Sequence, residues 1–230
     1  MQWSGAKVQT VVLRSSAAMS LAFSTRSLRE VVIRPTGWGC IHYESLFITL
    51  LRAAALGTVT RIVLDFATIS NPTITGPFAM SLSLLKKRFR MRNLEELAIV
   101  LDCTHYGDAK SCFSHINYFV RWLDAPGLKH LALCVRGSSF PHSLMEEVDQ
   151  SHAKLQTIRV TRVGISSASR YDHCESIARI LKAANQVTLG EIRDENTYMI
   201  ARDYGTLELN IRFQESGRTP FPEDKSLRRG

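Results

Sequence analysis

No stretch of this 230-residue chain approaches the ~18 consecutive apolar residues that a membrane-spanning helix needs. An ordered secretory leader is missing as well. In the opening MQWSGAKVQTVVLRSSAAMSLAF, Lys7 comes late and Arg14 interrupts the apolar part. Cysteine is sparse: Cys40, Cys103, Cys112, Cys134 and Cys174 form an odd set at irregular spacing. That pattern excludes a dense disulfide scaffold and predicts free, mostly buried thiols in an intracellular protein, cytoplasmic or nuclear.

Catalytic signatures are also wanting. The chain has no Gly-x-Ser-x-Gly, no phosphate-cradling glycine loop and no His-Glu-x-x-His. Residues 36–40, TGWGC, carry two glycines after a strand but not the third of a dinucleotide fingerprint. Cys103-x-His105 and Cys112-x-x-His115 offer four zinc-type ligands, yet the spacing matches no standard finger. Asp172, His173 and Cys174 are neighbours on an expected helix, so their side chains point about 100° apart and do not form a dyad. Glu95-Glu96 and Glu146-Glu147 face different ways and read as solvated. The expectation is a protein that is not an enzyme, with no cofactor and no metal.

Present instead is an ordinary folded composition, 45% hydrophobic and 22% charged, with a net charge of +8. The positive excess is scattered except in KKRFRMR (Lys86, Lys87, Arg88, Arg90, Arg92) and in the tail KSLRRG. The first cluster reads as the cationic last turn of a helix, or as a nuclear-localisation or phosphate-binding patch. Beyond Phe89, no set of aromatic or amide residues is interleaved with these cations as contacts to bases would require.

The dominant feature is a recurring apolar motif. Val8-x-x-Val11-x-Leu13, Leu28-x-x-Val31-x-Ile33 and Val59-x-x-Ile62-x-Leu64 are followed by Leu94-x-x-Leu97-x-Ile99, Leu128-x-x-Leu131-x-Leu133 and Leu155-x-x-Ile158-x-Val160. The starts are 20, 31, 35, 34 and 27 residues apart. Period-two alternation and β-branched content predict a strand in each unit. Helical periodicity fills the intervals at 44–57, 77–91, 111–127, 140–154 and 166–185, with Gly57 placed as a C-terminal cap. Strand and helix alternating at such intervals predict parallel strands with right-handed crossovers.

Two architectures fit, an open α/β parallel sheet and a right-handed α/β solenoid with a parallel sheet on the concave face and helices outside. The motif favours the solenoid. One side of each strand is apolar, whereas Thr10, Glu30, Arg61, Glu96, His130 and Thr157 form a polar row on the other. The segments LEELAIVLD and LKHLALCV, in irregular units across roughly residues 8–193, resemble a divergent leucine-rich repeat array. They are most similar to the repeats that follow an F-box in eukaryotic, notably fungal, F-box proteins. The Leu-Pro-led F-box segment itself is not visible, and the Asn or Cys closing the longer repeat consensus is missing or displaced. The resemblance implies a substrate-recognition part of a ubiquitin ligase receptor.

The expected organisation is an α/β solenoid over 1–193 lacking an N-terminal cap, a divergent C-terminal strand or cap over 194–214, and a disordered tail over 215–230. The chain is expected to begin inside a longer array. QVTLGEIRD (186–194) and TLELNIRFQ (206–214) read as two strands that pair differently from the rest.

Binding is expected on the concave face. Its central row runs Val12, Val32, Val63, Ala98, Ala132, Arg159, and its far flank Arg14, Arg34, Asp65, Val100, Cys134, Thr161. The central row is an exposed apolar stripe for a protein partner, a set of small side chains suited to tight strand spacing, or a strip over which a loop folds. The candidate partner-binding residues are Val12, Glu30, Val32, Arg61, Val63, Asp65, Glu96, Ala98, Val100, His130, Ala132 and Arg159. Ala98→Arg, combined with charge reversal at Arg61 and Arg159, is expected to abolish capture and spare the fold. The competing functions are nucleic-acid binding through 86–92 and a truncated or divergent repeat protein with no retained activity. A membrane partner is not expected.

Overall fold

The computed structural model describes residues 9–13, 27–34, 57–65, 89–102, 123–137, 155–170, 172–174, 195–202 and 205–214. Its strands, in chain order, are β1 (Thr10–Leu13), β2 (Glu30–Ile33), β3 (Arg61–Asp65), β4 (Phe89–Arg90) and β5 (Glu96–Asp102). They continue with β6 (Leu123–Asp124), β7 (His130–Arg136), β8 (Thr157–Val163), β9 (Glu195–Arg202) and β10 (Gly205–Gln214). One sheet takes the order β1-β2-β3-β5-β7-β8-β10-β9, and β4 and β6 pair separately. The first seven of those strands run parallel, and β9 lies antiparallel to β10 at the edge. The sheet is therefore an open α/β-type parallel sheet, with β1 and β9 at its two ends.

Register follows the motif. Val11, Val31, Ile62, Leu97, Leu131 and Ile158, the fourth motif positions, stand side by side and are joined by Leu209 of β10. On this core face Val31, Ile62, Leu97, Ile158 and Leu209 have no exposed surface, and their neighbours Ile33, Ile99, Val160 and Ile211 have none either. Each such side chain contributes roughly 1.5–3 kcal/mol through burial. A one-residue slip would send every one of them to the other side, which is why the register is so uniform.

The first and fourth motif positions share that face although they are three residues apart, which simple alternation forbids. The backbone supplies the reason. Gln9 O accepts from both Arg29 N and Glu30 N, Arg29 O from Thr60 N and Arg61 N, and Thr60 O from Glu95 N and Glu96 N. Glu95 O accepts from Lys129 N and His130 N, and Lys129 O from Gln156 N and Thr157 N. Two amides on one carbonyl are the hydrogen-bond signature of a bulge, which inserts the extra residue. Leu28, Val59, Leu94, Leu128 and Leu155 are thereby turned into the core, at 0–3% exposure.

The units ending in β5 and β7 repeat most closely. Phe89 pairs with Leu123 and Arg90 with Asp124, and Met91 N donates to Asp124 O at 2.8 Å. Leu94 N→Met91 O (3.2 Å) and Leu128 N→Ala125 O (3.0 Å) close equivalent turns. These turns stack so tightly that a Cβ on Gly127 would lie 2.9 Å from Arg92 O, so glycine is required there. Asn93 Nδ2 donates to the carbonyl of Gly57, which has a left-handed φ of 63°; the helix it was expected to cap lies outside the described residues.

Several expectations change. The helices read over 77–91 and 111–127 cannot run to those ends, because Phe89–Arg90 and Leu123–Asp124 are strands. Pairing between successive units overrides local helical periodicity at those positions. The helix expected from 166 begins with a 3-10 turn at Ser167–Ser169 and helical residues at 170 and 172–174. The expected helices at 44–56 and 140–154, the expected strand at 186–194 and the tail 215–230 lie outside the described residues. The strand preceding β10 is Glu195–Arg202, and the pair does differ from the rest by being antiparallel. β10 itself extends the parallel sheet, so the sheet continues without a break past residue 194.

Candidate functional site

The face opposite the core carries the rows expected from the sequence, and register adds β10 to each. Thr10, Glu30, Arg61, Glu96, His130, Thr157 and Glu208 form one row; Val12, Val32, Val63, Ala98, Ala132, Arg159 and Asn210 form the next. In the third, Asp65, Val100, Cys134, Thr161 and Arg212 are neighbours. Arg14 lies outside the described residues, and Arg34 joins this row through its ion pair with Asp65.

The first row is a ladder of polar contacts. Thr10 Oγ1 donates to Glu30 Oε2 at 3.0 Å, and Arg61 bonds Glu30 through Nη1. Arg61 Nε lies 3.2 Å from Glu96 Oε1, an ion pair rather than an aligned hydrogen bond. His130 Nδ1 and Thr157 Oγ1 are 2.8 Å apart further along. At the other strand ends Arg34 Nε meets Asp65 Oδ2 at 2.7 Å and Arg136 Nη1 meets Asp102 Oδ2 at 3.4 Å. Opposite charges facing across adjacent strands stabilise the sheet modestly, by roughly 0.2–1 kcal/mol each. Glu30, Arg61 and Glu96 are thus engaged with each other, and Asp65 with Arg34, rather than standing free in water.

The central row is apolar but closed. Val32 and Val63 are each 8% exposed and Ala98 0%, and they pack with half-buried Ala132. Val100, Cys134 and Val163 form a second buried cluster beside them. Only Val12, on β1, is an exposed large apolar residue among those described, at 45%. The exposed-stripe reading therefore fails at Val32, Val63 and Ala98, and Val100, a candidate on the flanking row, is buried as well. Strands ~4.8 Å apart border these small side chains laterally, and the Glu30–Arg61–Glu96 ladder and the Arg34–Asp65 pair lie in the rows on either side. Ala98→Arg would bury a charge, so it is not the surface probe its alternation suggests.

Past β7 the face changes character. Arg159 is exposed, Thr161 and Asn210 are half-buried, and Thr197 and Arg212 are exposed on the neighbouring strands where described. Asn210 Nδ2 donates to Thr197 Oγ1 at 3.1 Å. Of the candidate partner-binding residues, Val12 and Arg159 are the exposed ones, Val12 on the edge strand β1 and Arg159 five strands away on β8. Asn210 and Arg212 were missed because residues 206–214 alternate like any strand, and nothing local fixes which strand they join.

Arg162 was missed for the opposite reason. It is fully buried on the core face, in register between Val135 and Phe213, and its Nη2 donates to Gly137 O at 2.8 Å. The Arg170 guanidinium lies 5.3 Å from the Phe213 ring, a cation–π distance. The phase of Ile158, Val160 and Arg162 is the available signal, since it places the arginine inward.

Of the basic segment, Lys86, Lys87 and Arg88 lie outside the described residues. Arg90 and Arg92 are exposed, and Arg90 Nε lies 3.6 Å from Asp124 Oδ2. The cationic-helix-end reading fails at Arg90, which is in β4.

The Cys103/His105/Cys112/His115 constellation lies outside the described residues, and among those described no group of three potential metal ligands occurs. Cys134 and Cys174 form no disulfide and are buried, as expected. Burial pushes the Cys134 thiol up to about 12, which keeps it protonated and poorly nucleophilic at neutral pH. Among the described residues no helix is long and apolar enough to cross a membrane. No protein-family model, curated protein or solved structure matches the chain.

Proposed function

We propose that this chain is a leucine-rich-repeat-like solenoid that serves as a non-catalytic scaffold for binding another protein. The supporting observation is the strand order. From β1 to β8 each new parallel strand is added on the same side of the last, without reversal, and β10 is added next. Right-handed crossovers that always step one way pass over one face, as in a solenoid, whereas a doubly wound sheet reverses at a switch point. The repeated bulge and the uniform register of the six motif units agree with a stacked array.

In this reading the accessible end of the ladder face, around Arg159, meets the partner. By resemblance, the partner is a substrate presented to a ubiquitin ligase of the F-box type. Affinity purification of the full-length gene product with mass spectrometry tests this. Recovery of the ligase adaptor and cullin subunits supports the receptor reading. Absence of any reproducible protein partner overturns the scaffold reading itself. The pairing of Arg90 with Asp124 weighs against nucleic-acid binding through 86–92.

A further inference from the structure

Resting on that scaffold reading, the partner's chemistry follows from how charge is satisfied on the ladder face. Arg34 is paired with Asp65, Arg61 with Glu30 and Glu96, and Arg136 with Asp102. Arg212 is also engaged. Arg159 differs. It is exposed at the centre of β8, its register neighbours are Ala132 and Asn210, and it has no ion pair or hydrogen bond among the described residues.

We propose that the ladder face of β8 and β10 docks an acidic segment of a partner protein, with a carboxylate received by Arg159. A guanidinium presents a planar fork that matches a carboxylate in two parallel hydrogen bonds. Thr161, two residues along β8, adds a hydroxyl able to bond a peptide backbone or a second carboxylate oxygen, and Asn210, held by Thr197, borders the position on β10. Ala132 on the other side borders the apolar cluster and accepts a small aliphatic contact.

The same arrangement suits a polyphosphate poorly. Binding along a nucleic-acid strand needs a run of cations that tracks its backbone, whereas Arg159 is one arginine matched to one carboxylate.

The test uses the full chain and two fluorescent probes, a decaglutamate peptide and a single-stranded oligonucleotide, read by anisotropy at low and physiological ionic strength. Arg159→Glu is expected to weaken decaglutamate binding about tenfold, the size of one charge-assisted hydrogen-bonded contact, and Arg159→Lys by less. Arg92→Glu, in the exposed turn before β5, is expected to change it less than twofold. Equal losses from Arg159→Glu and Arg92→Glu overturn the proposal, because they mark a response to net charge alone. Absence of decaglutamate binding overturns it, as does Arg159-dependent preference for the oligonucleotide. Circular dichroism of each variant guards against misfolding, and Asn210→Asp supplies a second variant expected to weaken the peptide. If a protein partner co-purifies equally with Arg159→Glu and with the unaltered chain, the acidic-segment inference falls while the scaffold reading stands.

Discussion

The ladder face has two halves built on one register. Across β2, β3, β5 and β7 its central row is Val32, Val63, Ala98 and Ala132, apolar and mostly closed, with paired charges alongside. Across β8 and β10 the same row is polar, with Arg159 exposed and Asn210 half-buried. The core face shows no such contrast, since Leu131, Ile158 and Leu209 are equally buried through the transition. Backbone pairing and the core rows therefore hold the sheet together on both sides of the change. The ladder face can vary its chemistry without disturbing the register, and that is where a partner preference can be written.

Matched substitutions in the two halves test this contrast. The largest effect is expected from Ala98→Arg, which places a charge where the side chain has no exposed surface. Thermal or denaturant unfolding should show a loss of roughly 3 kcal/mol or more, or no folded protein. A stable Ala98→Arg variant would mean that the closed half opens easily.

Cys134 reports on the same half through pH. Its thiol is raised from 9.0 to about 12, by burial first and against the favourable influence of Arg136. For an acid whose folded pKa is raised, the stabilisation is complete below about pH 9 and is lost as pH climbs toward 12. In that window the unfolded chain releases a proton that the folded one retains. Stability should fall by up to about 1.4 kcal/mol per pH unit there, and Cys134→Ala should flatten the slope by that amount. Identical slopes for the two proteins would show that the thiol is solvated.

A smaller change is expected at Arg61, the centre of the ionic ladder. Arg61→Ala should cost roughly 0.5–1 kcal/mol, since the side chain is partly exposed and solvent screens it. The loss should shrink further in high salt, measured by unfolding across a salt series. The smallest effect on stability is expected in the open half: Arg159→Glu should shift it by less than about 0.5 kcal/mol. A large destabilisation there would erase the distinction between the halves.

Much of this was legible without coordinates. Leu97, Ile99 and Leu101 announce a buried strand face by alternation, and their echoes in Leu131, Leu133 and Val135 announce the repeat. The outward rows follow from the same alternation, and the observed register reproduces them from Thr10 to Thr157. Other features were hidden. Phe89–Arg90 reads as the end of a helix because local periodicity says so, and only pairing with Leu123–Asp124 makes it a strand. Ala98 alternates outward, yet alternation gives direction and not accessibility.

The sequence by itself determined the repeating strand, its inward side chains and the spacing of its units. Those follow from periodicity, which is local and is written residue by residue. The tertiary structure alone decided that β10 lies beside β8, that Arg162 is buried next to Phe213 and that the charges of the first row pair with one another. It also left Arg159 exposed while Val63 and Ala98 are closed in. Each of these depends on which distant strand becomes a neighbour, and an alternating pattern is satisfied equally well by many neighbours.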